Sequence, residues 1–96
     1  MTFLDFFHDE QEQHGAHLIS EKATLIAKKR GIASPQIHWR QTSRSFDNQM
    51  YGLEISSGSK SIKGEFSAEE VGDYPGGGNQ HRTTEKLGNL IRELTT

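Results

Sequence analysis

The chain has 96 residues, enough for one small domain, and 31% of them are hydrophobic while 25% are charged. It has no cysteine, which excludes disulfides, thiol nucleophiles and zinc–thiolate sites. No run approaches the roughly 20 apolar residues of a membrane span, and the N-terminus lacks a signal-peptide pattern. We therefore expect a soluble cytoplasmic protein, a single domain over residues 1–96 with no membrane partner.

The N-terminal segment is rich in phenylalanine. MTFLDFFHD carries Phe3, Leu4, Phe6 and Phe7 within nine residues and then turns acidic. We expect residues 1–9 to form a flexible or flap-like segment, or a separate short helix.

A helix is predicted over residues 13–30, which lack proline and are rich in helix-forming residues. Leu18, Ile19, Leu25 and Ile26 are expected along one helical side, with alanines 16, 23 and 27 as small neighbours. Lys28, Lys29 and Arg30 complement the helix dipole at its end, and Gly31 is expected at the C′ position.

The apolar period changes to two after Pro35. Three alternating runs follow, in which the residues expected on the apolar face are Ile37 and Trp39, then Tyr51, Leu53 and Ile55, then Ile62, Gly64 and Phe66. Turn signals at Asp47–Asn48 and in SSGSK separate the runs. They predict a three-stranded antiparallel meander with one apolar and one polar face.

The last segment is a second amphipathic helix. Leu87, Leu90, Ile91 and Leu94 have the i, i+3, i+4, i+7 spacing, and Thr83 or Thr84 is the expected N-cap. Gly88 indicates close packing or a frayed helix. The order α-β-β-β-α predicts an α+β fold in which both helices pack on one face of the sheet.

Charge is distributed unevenly along the chain, although the formal net charge is only −2. Residues 22–46 carry six cations and no acid, and acidic segments precede and follow them; the six are Lys22, Lys28, Lys29, Arg30, Arg40 and Arg44. Such a basic stretch attracts an anionic partner if it lies free at the surface. The alternative is that the acidic segments fold back and neutralise it.

The runs LISEKATLIAKKRGIASPQIHW and GLEISSGSKSIKGEF, together with the order of elements, resemble the double-stranded RNA-binding domain over about residues 18–94. The resemblance implies that Arg82 and Lys86, in HRTTEK, replace cations of the family's KKxAK motif and contact phosphates. It also implies that Arg44 reaches a minor groove and that Glu21 contacts 2′-hydroxyls. Glu85 and the acidic insertion SAEEVGDYPGGGN depart from the family pattern.

Other stretches carry less chemistry. GDYPGGGN, at residues 72–79, lacks the Lys and Ser/Thr of a P-loop, so we interpret it as a flexible connector; the alternative is an anion held by its glycines at 76–78. His8, His14 and His17 are surface histidines or, alternatively, an incomplete metal site. We predict no catalytic residues, no cofactor and no enzymatic activity.

These observations favour a small non-enzymatic binding module. The first hypothesis is binding of duplex RNA or DNA, with phosphate contacts from Lys28, Lys29, Arg30, Arg44, Arg82 and Lys86. The alternative is a protein partner or a homodimer, bound through the Phe-rich N-terminus and the polar sheet face.

Overall fold

A computed structural model describes residues 10–44 and 49–95. It consists of helix α1 (Glu10–Lys29), strands β1 (Gln36–Arg44), β2 (Gln49–Ser57) and β3 (Lys60–Ser67), the short helix α2 (Ala68–Asp73), a 3-10 turn (Tyr74–Gly76) and helix α3 (Gln80–Leu94). The predicted α+β fold is thereby confirmed, with one additional short helix before the last. The N-terminal segment 1–9 and the predicted turn at Asp47–Asn48 lie outside the described residues.

The strands form an antiparallel sheet in the order β1-β2-β3. Ile37 pairs with Ile55, which pairs with Ile62, so the apolar residues of all three strands share one face, as the period of two predicts. The pairing of β1 with β2 slips between Gln41 and Ser43. The helices cover the apolar face, where Trp39, Tyr51, Leu53, Ile55 and Phe66 are buried.

Helix α1 packs through small residues. Its buried positions are Gly15, Ala16, Ile19, Ala23 and Ala27, whereas Leu25, which was expected on the core side, is 52% exposed. The prediction for Leu25 is wrong because small side chains, and not the largest apolar ones, allow α1 to approach its neighbours closely. After α1, Gly31 has the left-handed φ of 95° expected at C′, which confirms the predicted helix end.

The close contact between α1 and α2 depends on a glycine, Gly15, at the point where they meet. A Cβ built on Gly15 would lie only 1.8 Å from the carbonyl oxygen of Val71. Gln11 Nε2 donates a hydrogen bond to the carbonyl of Gly72 at 2.7 Å nearby. The beginning of α1 is therefore packed directly on the α2 backbone.

The stretch interpreted as a flexible connector is mostly regular structure, so that prediction is wrong. Ser67 caps α2 by accepting a hydrogen bond from the Glu70 N–H, while the Glu70 side chain accepts one from the Ser67 N–H. Val71 and Tyr74 are buried in the core, which gives the segment a packing role. Only residues 77–79 form a turn before α3.

Helix α3 begins earlier than predicted. Its N-cap is Asn79, in a left-handed conformation and without a side-chain capping bond, and not Thr83 or Thr84. Thr83 is fully buried, and its hydroxyl has no hydrogen-bond partner within the described part of the chain. Leu87, Ile91 and Leu94 enter the core as expected. A Cβ on Gly88 would meet nothing within 4 Å, so close packing does not explain that glycine.

Candidate nucleic-acid interface

The predicted phosphate-binding residues lie at two ends of the molecule. The Gln11–Gly72 hydrogen bond places the beginning of α1 beside α2, and Arg30 Nε donates to Thr95 Oγ1 at 3.4 Å, which places the end of α1 beside the end of α3. Helices α1 and α3 therefore run in the same direction. Arg82 lies 13 residues before Thr95, or about 20 Å at 1.5 Å per residue.

One end holds Lys28, Lys29 and Arg30, which we name the basic pole. All three are exposed, and across residues 10–44 and 49–95 no carboxylate lies within 4.0 Å of them. Within the described residues, the acidic segments therefore do not pair with this part of the basic stretch.

More charges share that end. Lys60 lies there as well, at the start of β3. It pairs with Ser57, the residue after Ser56, and Ser56 pairs with Gln36 at the start of β1, close to the end of α1. Arg92 and Glu93 lie in the last turn of α3. Among the described residues, these and the pole make five cations and one carboxylate, an excess of positive charge even beside two helix C-termini, each equivalent to about half a negative charge.

The other end holds Arg82 and Lys86, in the first turns of α3, and has mixed charge. A groove of about 510 Å³ there is lined by two carboxylates as well as by the two cations; its residues are Glu70, His81, Arg82, Glu85, Lys86 and Asn89. His81 lies 3.6 Å from Glu85. A phosphate in this groove would meet both signs of charge.

Arg44, also predicted to contact phosphate, is the last residue of β1, and its backbone pairs with Gln49.

Lys86 is engaged within the protein. Its ammonium group donates to the backbone carbonyl of Glu65, lies 3.7 Å from Glu70 and sits 4.5 Å from the centroid of the Phe66 ring. A lysine with three partners must give up these contacts to bind a phosphate. In the family that the sequence resembles, this position is expected to contact phosphate directly.

Lys86 and Glu70 also satisfy two backbone groups at the outer edge of β3. Backbone groups of alternate residues in an edge strand point away from the sheet and need other partners. The outward carbonyl of Glu65 receives Lys86, and the outward N–H of Ser67 donates to Glu70 at 2.9 Å. The same alternation turns the backbone of Ile37 outward at the opposite edge, on β1.

Glu21, for which the resemblance implies a contact with RNA, lies on the outer side of α1. Its carboxylate is 3.1 Å from His17 Nε2. Both residues line a groove of about 420 Å³ between α1 and β1, together with Ser20, Thr24, Leu25, Lys28 and Ile37. We name this the α1–β1 groove. The sequence did not indicate it, because Leu25 was expected in the core.

The face of the sheet opposite the helices is polar, as predicted. Arg40 pairs with Glu54 at 3.2 Å, and Lys63 and Glu65 lie on the neighbouring strand. These side chains surround a depression of about 280 Å³ at Gly52. Among the described side chains, the depression therefore has two cations balanced by two carboxylates.

The histidines do not form a metal site within the described residues. His14 and His17 are exposed on α1, and the ranges 10–44 and 49–95 contain no group of three His, Cys, Asp or Glu residues arranged to hold a metal ion. His8 lies outside the described residues. Within those ranges, no helix combines the length and apolarity needed to cross a membrane.

Comparison of the chain with protein-family models, with characterised proteins and with solved structures gave no match. Any functional conclusion consequently rests on the residues and geometry of this chain.

Proposed function

We propose that this protein binds nucleic acid, with the basic pole contacting backbone phosphates. The observation that carries the proposal is the group of three consecutive exposed cations without a carboxylate within 4.0 Å in the described ranges. Lysine and arginine that neutralise phosphates release condensed counterions, and this release is the main source of sequence-independent affinity. Because the sequence and its order of elements resemble the double-stranded RNA-binding domain, duplex RNA is the first ligand to test.

The contrast between the two ends of the molecule supports this choice of residues. Lys86 would have to leave Glu70 and the Glu65 carbonyl to reach a ligand, whereas Lys29 is exposed and has no ion pair to break within the described residues. Arg30 would give up one long hydrogen bond to Thr95. The cost of rearrangement is therefore lower at the basic pole.

The number of contacts predicts the salt dependence. Three phosphate contacts give a slope of about −2.7 for log K against log[salt] with B-DNA, so raising salt from about 50 to about 200 mM weakens binding about 40-fold. With single strands the slope is about −2.1, and the same change costs about 20-fold. The direct test is fluorescence anisotropy with labelled duplex RNA, duplex DNA and single-stranded RNA at both salt concentrations.

A pair of double variants locates the interface. Lys29→Ala with Arg30→Ala removes two pole cations and reduces the 40-fold salt response on duplex DNA to about fourfold. Lys22→Ala with Arg82→Ala removes the same charge elsewhere and retains the full response. Circular dichroism verifies that both variants fold. Absence of binding to every ligand at low salt refutes the function, and a reversed pattern between the variants moves the interface to the other end.

A further inference from the structure

The α1–β1 groove combines an exposed apolar centre with charges of both signs. Leu25 is 52% exposed and is the exposed large hydrophobic residue of the described part of the chain. Ile37, half-buried on the edge strand, forms the other side of the groove. Glu21 and Lys28 flank Leu25 along the helix, one turn before and one turn after it. An exposed leucine in such a setting is a typical centre for a protein contact.

The order of Glu21, Leu25 and Lys28 along α1 is self-complementary. Glu21 lies about 6 Å before Leu25 along the helix axis, and Lys28 lies about 4.5 Å after it, at 1.5 Å per residue. When two α1 helices cross antiparallel at Leu25, each Glu21 therefore faces the Lys28 of the other copy, and the two leucines meet at the centre. A twofold interface requires this kind of matching, in which residue i contacts j and j contacts i.

The charges in the groove also argue against other occupants. A polyanion would meet the Glu21 carboxylate beside Lys28, and a peptide of one charge would be repelled at one end of the groove. Lys28 has no carboxylate within 4.0 Å in the described ranges of its own chain, and Glu21 contacts His17 through two side chains that are 62% and 60% exposed. Both groups are accessible to a second copy.

The difference between the two edges of the sheet also favours a contact on the side of α1 and β1. Lys86 and Glu70 cover outward backbone groups of β3, whereas Ile37 turns its backbone outward beside the groove. Association through α1 brings the β1 edges of two copies toward each other.

We propose that two copies of this chain associate through their α1–β1 grooves, with the twofold axis passing at Leu25. Lys28 of each copy pairs with Glu21 of the other, while Arg30, which bonds to Thr95, remains outside the contact. The inference does not rest on nucleic-acid binding, but it shares Lys28 with the basic pole, so a dimer withdraws that one cation from phosphate contact.

Sedimentation velocity over a concentration series up to about 1 mM tests the association. The wild-type protein forms a dimer, and Leu25→Asp weakens it by about tenfold or more, because a charge replaces the apolar centre. Lys63→Glu, the same charge reversal on the opposite face of the sheet, leaves the dimer unchanged. A wild-type protein that stays monomeric throughout the series overturns the proposal, and so does a dimer unaffected by Leu25→Asp.

Charge reversal tests the twofold arrangement itself. Glu21→Lys and Lys28→Glu each weaken self-association, because like charges then face each other across the axis. Mixing these two variants restores association as a heterodimer, and combining both changes in one chain restores the homodimer. If neither mixing nor combination restores association, the arrangement is wrong. A Glu21→Lys variant that stays monomeric at every concentration and binds duplex RNA more tightly than the monomeric wild type would assign the groove to nucleic acid instead.

Discussion

Replacing Gly15 by alanine tests the contact on which the position of α2 depends. The new Cβ would lie 1.8 Å from the Val71 carbonyl oxygen and 2.8 Å from the carbonyl carbon, and both atoms belong to the backbone. Since real contacts of this kind are not shorter than 3.0 Å, the two helices must separate by at least 1.2 Å, the difference between 3.0 and 1.8 Å. Movement on that scale loses a substantial part of the dispersion energy between them.

The expected net effect is a loss of about 2 kcal/mol. Overpacking costs about 1–3 kcal/mol, and the upper end applies because no flexible side chain can give way. Alanine offsets about 1 kcal/mol of this through its better helix propensity. For a domain of this size the melting temperature falls by roughly 8–16 °C.

Gly88→Ala is the matched control. This glycine also lies inside a helix, but its Cβ would meet nothing within 4 Å. The same substitution is therefore expected to stabilise the protein by about 1 kcal/mol.

Urea denaturation followed by tryptophan fluorescence measures both variants. The single tryptophan, Trp39, is 2% exposed and reports loss of the core. Equal or increased stability of Gly15→Ala would show that α1 and α2 are not packed backbone to backbone, and the placement of α2 would have to be abandoned.

Three further outcomes follow from contacts described above. Thr83→Val should stabilise the protein by about 1 kcal/mol in the same denaturation assay, since it removes a buried hydroxyl that lacks a partner within the described residues. Lys86→Met keeps an unbranched side chain over Phe66 but leaves the Glu65 carbonyl uncovered; we expect a loss of about 1 kcal/mol, and no loss would mean that this bond contributes nothing. Ser20→Ala removes the acceptor of the 2.8 Å hydrogen bond from Trp39 Nε1 and should cost about 1 kcal/mol, and a neutral effect would show that the indole finds another acceptor.

The sheet could be predicted from sequence because its signal is local. Alternation in Tyr51, Leu53 and Ile55 determines which face is buried, whatever packs on that face, and the observed pairing agrees with it. On α1 the predicted side is correct for Ile19 and the three alanines, which are buried, and for Leu18 and Ile26, which pack against the core, but it is wrong for Leu25. The close approach of α2 to Gly15 could not be predicted from the period of α1, because it depends on the partner helix.

Helix α2 escaped prediction because six residues are too short to show a helical period. A usable signal was nevertheless present in Ser67 and Glu70, whose spacing is that of a capping box. The glycines that follow drew the interpretation toward a connector, although Val71 and Tyr74 are core residues.

The candidate site was predicted only in part. Lys28, Lys29 and Arg30 are adjacent in sequence, so their grouping survives folding. Arg82 and Lys86 were grouped with them because the family resemblance implies phosphate contacts there, but the parallel course of α1 and α3 places the two sets at opposite ends. Chain order contains no information about that separation.

The unequal edges of the sheet bear on how far assembly can proceed. With the outward groups of Glu65 and Ser67 already satisfied by Lys86 and Glu70, β3 offers a poor template for an incoming strand. Association through the α1–β1 grooves, on the β1 side of the sheet, leaves this protected part of β3 on the outside of the pair. Strand addition that would extend the pair into a filament is therefore disfavoured. Removing Lys86, which protects β3, should increase the tendency to polymerise.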